Sequence, residues 1–221
     1  MSLTLYGAPL SPFVRKVRLF LAEQALDYEL EAVMPFSPPD WYRELSPLGR
    51  IPALRDGAFT LADSSVICQY LEEKHADRAP LYGATAESRA RVRWLEKYAD
   101  YELAPHATFG VFGNRVLKLT MGKPSDEAAV RAAIDEKLPP HFDYLEKTLG
   151  EAEYFVEDRL TLADLALTCQ LINMEHGGER LDASRWPRLE AHYRRMLERA
   201  SVQAVLVDER AMMAKIKAKF A

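Results

Sequence analysis

Apolar and polar positions alternate over Leu3–Tyr6, and after the break Gly7-Ala8-Pro9-Leu10 the period changes. Behind Pro12, Val14, Val17, Leu21 and Ala25 recur at helical spacing. A strand, a loop and a helix are predicted. Residues 27–33 read as a second strand. The run Pro35-Phe36-Ser37-Pro38-Pro39-Asp40 must be loop, because three prolines in five positions suit neither a ladder nor a helix. A short helix is expected over 41–45. Segments 53–55 and 58–61 flank Asp56-Gly57, a dipeptide that favours a tight hairpin. The next helix is expected to be capped by Ser64 or Ser65, with Val66, Ile67, Tyr70 and Leu71 turned inward.

From residue 87 onward the strand period vanishes, and 89–104, 126–149, 162–174, 187–200 and 202–220 all carry helical spacing. Pro80 and Gly83 mark the change. The reading is an α/β domain over 1–78, a linker over 79–85 and an all-helical domain over 86–221. In the first, the order strand, helix, strand, short helix, hairpin, helix predicts a thioredoxin-like fold, in which a connection between parallel strands crosses over right-handed.

Composition narrows the function classes. With 221 residues, 48% hydrophobic and 28% charged, the chain can bury a substantial core, which argues against disorder. Its 29 basic and 33 acidic residues leave a net charge of −4, so no nucleic-acid partner is expected. Lys215, Lys217 and Lys219 alternate with Ile216 and Phe220 and read as the wet edge of a terminal helix. The opening lacks a basic, apolar leader and no apolar run reaches spanning length, so a cytoplasmic protein without membrane contact is expected. Cys68 and Cys169 form no C-x-x-C pair and no metal-ligand spacing. They read as reduced, buried and structural, and no metal is expected.

Three short features carry candidate chemistry. Ser11-Pro12 is a favoured helix start, and it follows the first strand of an α/β unit, where such folds bind ligands. Gly49-Arg50-Ile51-Pro52 precedes the hairpin. A trans proline opening a strand is the plain reading, whereas a cis bond would free the Ile51 backbone to pair with an extended peptide. Asp63-Ser64-Ser65 begins a helix, where N–H groups and the Ser64 hydroxyl favour a carboxylate and Asp63 suits an ammonium; simple capping is the alternative.

In this order on this fold, these features resemble the cytosolic glutathione transferases, of the serine type and bacterial-like. The likeness is carried by Leu5-Tyr6-Gly7, by Ser-Pro-Phe-Val-Arg-Lys-Val-Arg from Ser11 to Arg18, by Ser46-Pro47-Leu48-Gly49-Arg50-Ile51-Pro52-Ala53-Leu54 and by Leu61-Ala62-Asp63-Ser64. It continues in Leu160-Thr161-Leu162-Ala163-Asp164, which looks like the family's structural capping box, and in the stretch from Trp186-Pro187 to Val202-Gln203.

The resemblance implies glutathione as co-substrate, with no resident cofactor, lying extended across the first domain. Ser11 would donate its hydroxyl to the sulfur. Ile51 would pair its backbone with the cysteinyl part through a cis bond before Pro52, Asp63 and Ser64 would hold the γ-glutamyl head, and Arg50 would face the glycyl carboxylate. The family often has lysine in place of Arg50. Phe13 is counted with the glutathione contacts. Tyr6 is the rival donor, read as packing. A hydrophobic electrophile would sit between the domains near Leu10, Phe36, Tyr101 and His106, although Trp94, Tyr98 and Tyr101 equally suit a core stripe. The family's homodimers suggest Asp100 as an acid reaching the partner's ligand. The implied activity is conjugation for detoxification or a related dehalogenation. The alternatives are a glutathione-dependent isomerase and a non-catalytic binding or regulatory protein.

Overall fold

A computed structural model describes residues 3–220. The chain divides into two compact units, the first ending at Tyr82 and the second beginning at Gly83.

The first unit runs β1 (Leu3–Tyr6), α1 (Pro12–Glu23), β2 (Tyr28–Glu31), α2 (Tyr42–Leu45), β3 (Ala53–Asp56), β4 (Phe59–Ala62) and α3 (Ser64–Lys74). Its sheet has the order β2-β1-β3-β4, with β1 and β2 parallel and the other neighbours antiparallel. The helix α1 stops before Ala25, which turns to φ +48 and so leaves the expected helical stripe. The hairpin closes on Gly57-Ala58 beyond the pair Asp56↔Phe59, and Gly57 supplies the positive φ of +61 that the turn needs. Leu5, Val14, Val17, Phe20, Leu54, Ile67 and Leu71 fill the core.

Two details of α3 differ from the sequence reading. Its N-cap is Asp63, whose Oδ1 accepts from the N–H groups of Ser65 at 2.9 Å and Val66 at 3.2 Å, so neither Ser64 nor Ser65 is the cap. The backbone leaves helical angles at Asp63, which stands at φ +80, so the cap falls there and both serines lie inside the first turn. Val66 faces outward, and the inner face is made by Ser64, Ser65, Ile67, Cys68 and Leu71.

The second unit is helical. Thr85 and Ser88 form a capping box for α4 (Ala86–Tyr98), which continues through wide π-type turns over Ala99–Leu117 into α5 (Lys118–Thr120). The helix therefore does not end at residue 104 before Pro105. Wide turns carry the chain past a residue that has no N–H to give. Next, α6 (Glu127–Ala132) passes through a similar stretch, Ala133–Lys137, into α7 (Leu138–Leu149), whose first turn holds Pro139 and Pro140. Then come α8 (Leu162–His176), α9 (Pro187–Glu198) and α10 (Ala200–Phe220). Nearly all of α8 is buried, which makes it the core of the unit. Cys68 and Cys169 are buried and are not joined in a disulfide.

The box before α8 is fully enclosed. Asp164 accepts through Oδ2 from the N–H and hydroxyl of Thr161 at 2.8 and 2.9 Å, and through Oδ1 from the N–H of Phe155 at 3.1 Å. His192 Nε2 lies 2.9 Å from the same Oδ1 and ties α9 to the start of α8.

Candidate functional site

Strand register places the candidate residues. The pairs Tyr6↔Ala53 and Ala53↔Ala62 set the end of β1, the start of β3 and the end of β4 in one row across the sheet. The loop after Tyr6, the segment ending in Pro52 and the turn at Asp63 therefore emerge side by side at the same edge. Three neighbouring strands at about 4.8 Å spacing span about 10 Å, the length of an extended tripeptide at roughly 3.3–3.6 Å per residue.

Each of the three segments is held. Gly7 packs between α1 and the loop before β3: a Cβ added there would lie 2.4 Å from Val14 Cγ2 and 3.5 Å from Ile51 Cβ. This close approach brings the start of α1 and Ile51 together. Ser11 is the N-cap of α1, and its Oγ accepts from the N–H of Val14 at 3.4 Å. The bond uses a lone pair and leaves the hydroxyl proton for another acceptor. Ser11 is half-buried and Phe13 beside it likewise.

The Ile51–Pro52 bond is cis. Among the described residues, none hydrogen-bonds to the backbone N–H or C=O of Ile51. The carbonyl just before it is clamped from two sides, since Arg50 O accepts from Tyr42 Oη at 3.0 Å and from Ser46 Oγ at 2.8 Å. The Arg50 side chain is exposed. At the third segment Asp63 stands at φ +80, a sparsely populated conformation for a residue with a side chain, which costs of the order of 1–3 kcal/mol. Its capping bonds use Oδ1, and Ser64 beside it is buried with its side chain at the first turn of α3. Ser65 Oγ accepts from Lys16 Nζ at 3.2 Å and fastens α3 to α1.

Tyr6 packs. It is buried, its ring meets Trp41 edge-on at 5.7 Å between centroids, and the Arg55 guanidinium lies over it at 5.4 Å. Burial raises its phenol pKa further above the ordinary value of 10.0, partly offset by Arg55, which opposes any service as an ionised base.

The family model described as "Glutathione S-transferase, N-terminal domain" matches residues 5–79, and "Glutathione S-transferase, C-terminal domain" matches residues 114–209. The chain is 37% identical over 167 residues to Glutathione S-transferase 3 of Zea mays, an overlap of 73% of either chain. It belongs to the glutathione S-transferase family. The transferase is also 29% identical to a Glutathione S-transferase of Triticum aestivum over 91% of this chain and 92% of that one. The crystal structure of a glutathione S-transferase from Rhodospirillum rubrum F11 superposes with a TM-score of 0.84 at 28% identity, covering 92% of this chain and 91% of that one. The thioredoxin-like domain followed by a helical domain is the architecture these comparisons share with the transferase.

Leu10 is buried just before Ser11, and Phe36 is 60% exposed on the proline-rich loop. In the helical unit, Tyr101 is 64% exposed and Trp94 57% exposed, so they do not form a core stripe with Tyr98. The spacing does put Trp94 and Tyr98 on one face, but that face joins a surface cluster with α7: Trp94 Nε1 donates to Tyr144 Oη at 2.9 Å, and Tyr98 Oη lies 2.7 Å from His141 Nδ1. His106 stacks on His141 at 5.9 Å, and burial lowers its pKa, with His141 adding to the effect. Asp100 is half-buried.

Sequence reasoning missed the clamp on Arg50 and the buried cations of α1. Ser46 sits inside the quoted motif, but Tyr42 carries no local signal. Arg15 and Lys16 are fully buried although they fall between apolar positions Val14 and Val17. Adjacent cations look solvated in a period analysis, and only their long side chains reaching polar partners reverse that.

Proposed function

We propose that this transferase binds glutathione extended along the row formed by Ser11, Ile51-Pro52 and Asp63-Ser64, stabilises its thiolate, and adds that thiolate to the electrophilic carbon of a hydrophobic small molecule. The observation that carries the reading is the register: three loops with complementary donors and acceptors stand side by side over the span of an extended tripeptide.

The chemical task is to ionise a thiol near neutral pH. A thiol of pKa about 8.5 is only a few per cent thiolate at pH 7, and a two-unit decrease needs about 2.7 kcal/mol of preference for the anion. A hydrogen bond to a charged sulfur contributes about 1.5–3 kcal/mol and a helix N-terminus about 0.3–1 kcal/mol. Ser11 at the start of α1 offers both, and its hydroxyl proton is not spent on the helix. The thiol proton leaves to solvent, Ser11 donates to the sulfur anion, and the sulfur forms the new bond as the leaving group departs with its electron pair. Ser11 is a donor, not a nucleophile.

Ile51 offers its backbone N–H and C=O to the cysteinyl part, and Tyr42 and Ser46 hold the preceding carbonyl so that this segment is preorganised. Ser64 and the first turn of α3 take the γ-glutamyl carboxylate, and Asp63 keeps Oδ2 for the ammonium. Arg50 faces the glycyl carboxylate and Phe13 covers the peptide. Leu10, next to Ser11 in the chain, is assigned to the electrophile; Phe36, Tyr101 and His106 are further candidates. On the same reading the enzyme is a cytoplasmic homodimer acting in detoxification, with Asp100 the acid offered to a partner's ligand. Among the described residues no helix is long and apolar enough to cross a membrane.

The test pairs binding with turnover. Wild type should be retained on immobilised glutathione and should conjugate an activated aryl halide. Ser11→Ala should still be retained while kcat/KM falls roughly 10- to 150-fold, the equivalent of one charged hydrogen bond. Failure of wild type to bind, or full turnover by the variant, would reject the proposal.

A further inference from the structure

The chain carries five histidines. Two are held by buried carboxylates, His176 Nε2 lying 3.0 Å from Glu209 and His192 Nε2 lying 2.9 Å from Asp164. His75 is the C-cap of α3. The other two meet in the helical unit. His106, on the wide-turned stretch Ala99–Leu117, and His141, on α7, have ring centroids 5.9 Å apart and planes 23° from parallel. Both residues are half-buried, so water and small ions reach them. They stand on separate helices, and no spacing along the chain announces the pair.

The separation suits one shared metal ion. A zinc–imidazole bond is about 2.0–2.1 Å long and the ring adds about 1.1 Å from nitrogen to centroid, so two rings on one ion have centroids about 5.1 Å apart at the tetrahedral angle and about 6.3 Å apart when opposed. The observed 5.9 Å lies inside that range. Both rings also have nitrogen to offer. His141 Nδ1 lies 2.7 Å from Tyr98 Oη, and among the described residues its Nε2 and both nitrogens of His106 make no hydrogen bond. With the phenol oxygen accepting from Nδ1–H, His141 is fixed in the tautomer whose Nε2 lone pair is free, the arrangement in which ligating imidazoles are usually oriented. Glu102 and Lys137 act on His106 with opposite sign, so the charges around it largely offset. Among the described residues no group of three or more His, Cys, Asp or Glu side chains forms a metal cage, so water must complete the coordination.

We propose that His106 and His141 together bind a divalent late first-row ion of the class that favours imidazole, zinc, nickel or copper, in an open site with two protein ligands and water in the remaining places. The pair lies wholly within the helical unit and does not rest on the assignment of glutathione at the sheet edge.

The probe is Zn²⁺ alone, titrated into the full chain by calorimetry without glutathione, whose thiol would take the ion itself. Wild type should bind one equivalent per chain. His106→Gln and His141→Gln should each weaken binding by about tenfold or more, because either change leaves a single imidazole. His75→Gln removes a histidine elsewhere and should leave the affinity unchanged. A second measurement needs no variant: in wild type labelled with nitrogen-15 at histidine, Zn²⁺ should move the ring resonances of two of the five histidines and leave the other three in place. Absence of binding by wild type would overturn the proposal, as would unchanged affinity in either ligand variant, an equal loss in His75→Gln, or ring shifts spread over more than two histidines.

Discussion

Replacing Asp164 by alanine should cost the helical unit more than any other single carboxylate. Its two oxygens accept from Thr161 N–H, Thr161 Oγ1 and Phe155 N–H, and the fourth contact is His192 Nε2, all at 2.8–3.1 Å and out of water. Removal orphans two backbone N–H groups at about 1–3 kcal/mol each, and the lost cap, worth about 0.5–2 kcal/mol, overlaps with the first of them. The hydroxyl can rotate to another partner. The expected loss is about 3–5 kcal/mol, a large share of the 5–15 kcal/mol typical of a folded protein. Asparagine should not rescue it. Oδ1 faces the N–H of Phe155 and Oδ2 that of Thr161, so an amide nitrogen opposes a fixed backbone donor at whichever place it takes. Urea unfolding followed by circular dichroism should show the midpoint lowered by roughly 1–2 M in both variants. While folded, both should keep wild-type kcat. A loss below about 1 kcal/mol in either variant would refute the claim that this box holds α8 in place.

Two further outcomes follow from named contacts. Asp56 is nearly buried beneath Tyr70 and Lys74, and the hydrogen bond from Lys74 holds its carboxyl below the ordinary value of 3.8 against the opposing effect of burial. A depressed folded pKa adds stability that is fully present above the unfolded value and is lost as pH falls through the folded one. Asp56→Asn should therefore cost about 1–2 kcal/mol at pH 7, reduced by solvent because Lys74 is 37% exposed, with the difference from wild type closing below about pH 4 in acid titration of stability. The clamp on Arg50 O should be read in kinetics: Tyr42→Phe with Ser46→Ala removes two hydrogen bonds of about 0.5–1.5 kcal/mol each, and KM for glutathione should rise roughly 5- to 150-fold with kcat changed much less.

The first unit was largely legible because its signals are local. Proline fixes the start of α1, Gly57 the hairpin, and alternation the strands. Capping misled by one residue, since a serine pair after an aspartate leaves three candidate caps and only the backbone angles choose Asp63. In the second unit Pro105 signals a helix end, but widened turns absorb it and tertiary packing overrides the propensity. Trp94 and Tyr98 follow a helical period whose face is set by neighbours from α7, which no local pattern reveals. The candidate site was legible as three motifs. Their adjacency came from the resemblance and from strand register, because residues 11, 51 and 63 are far apart in sequence and are brought together by pairing across the sheet.

The central claim is that the Ser11 hydroxyl stabilises the sulfur anion of bound glutathione. Ultraviolet absorbance of the thiolate, titrated against pH at saturating glutathione, tests it without an electrophile. Wild type should ionise the bound thiol about two units below free glutathione, and Ser11→Ala should return it upward by about 1–2 units while glutathione still binds. Superimposable titration curves for the two proteins would contradict the account.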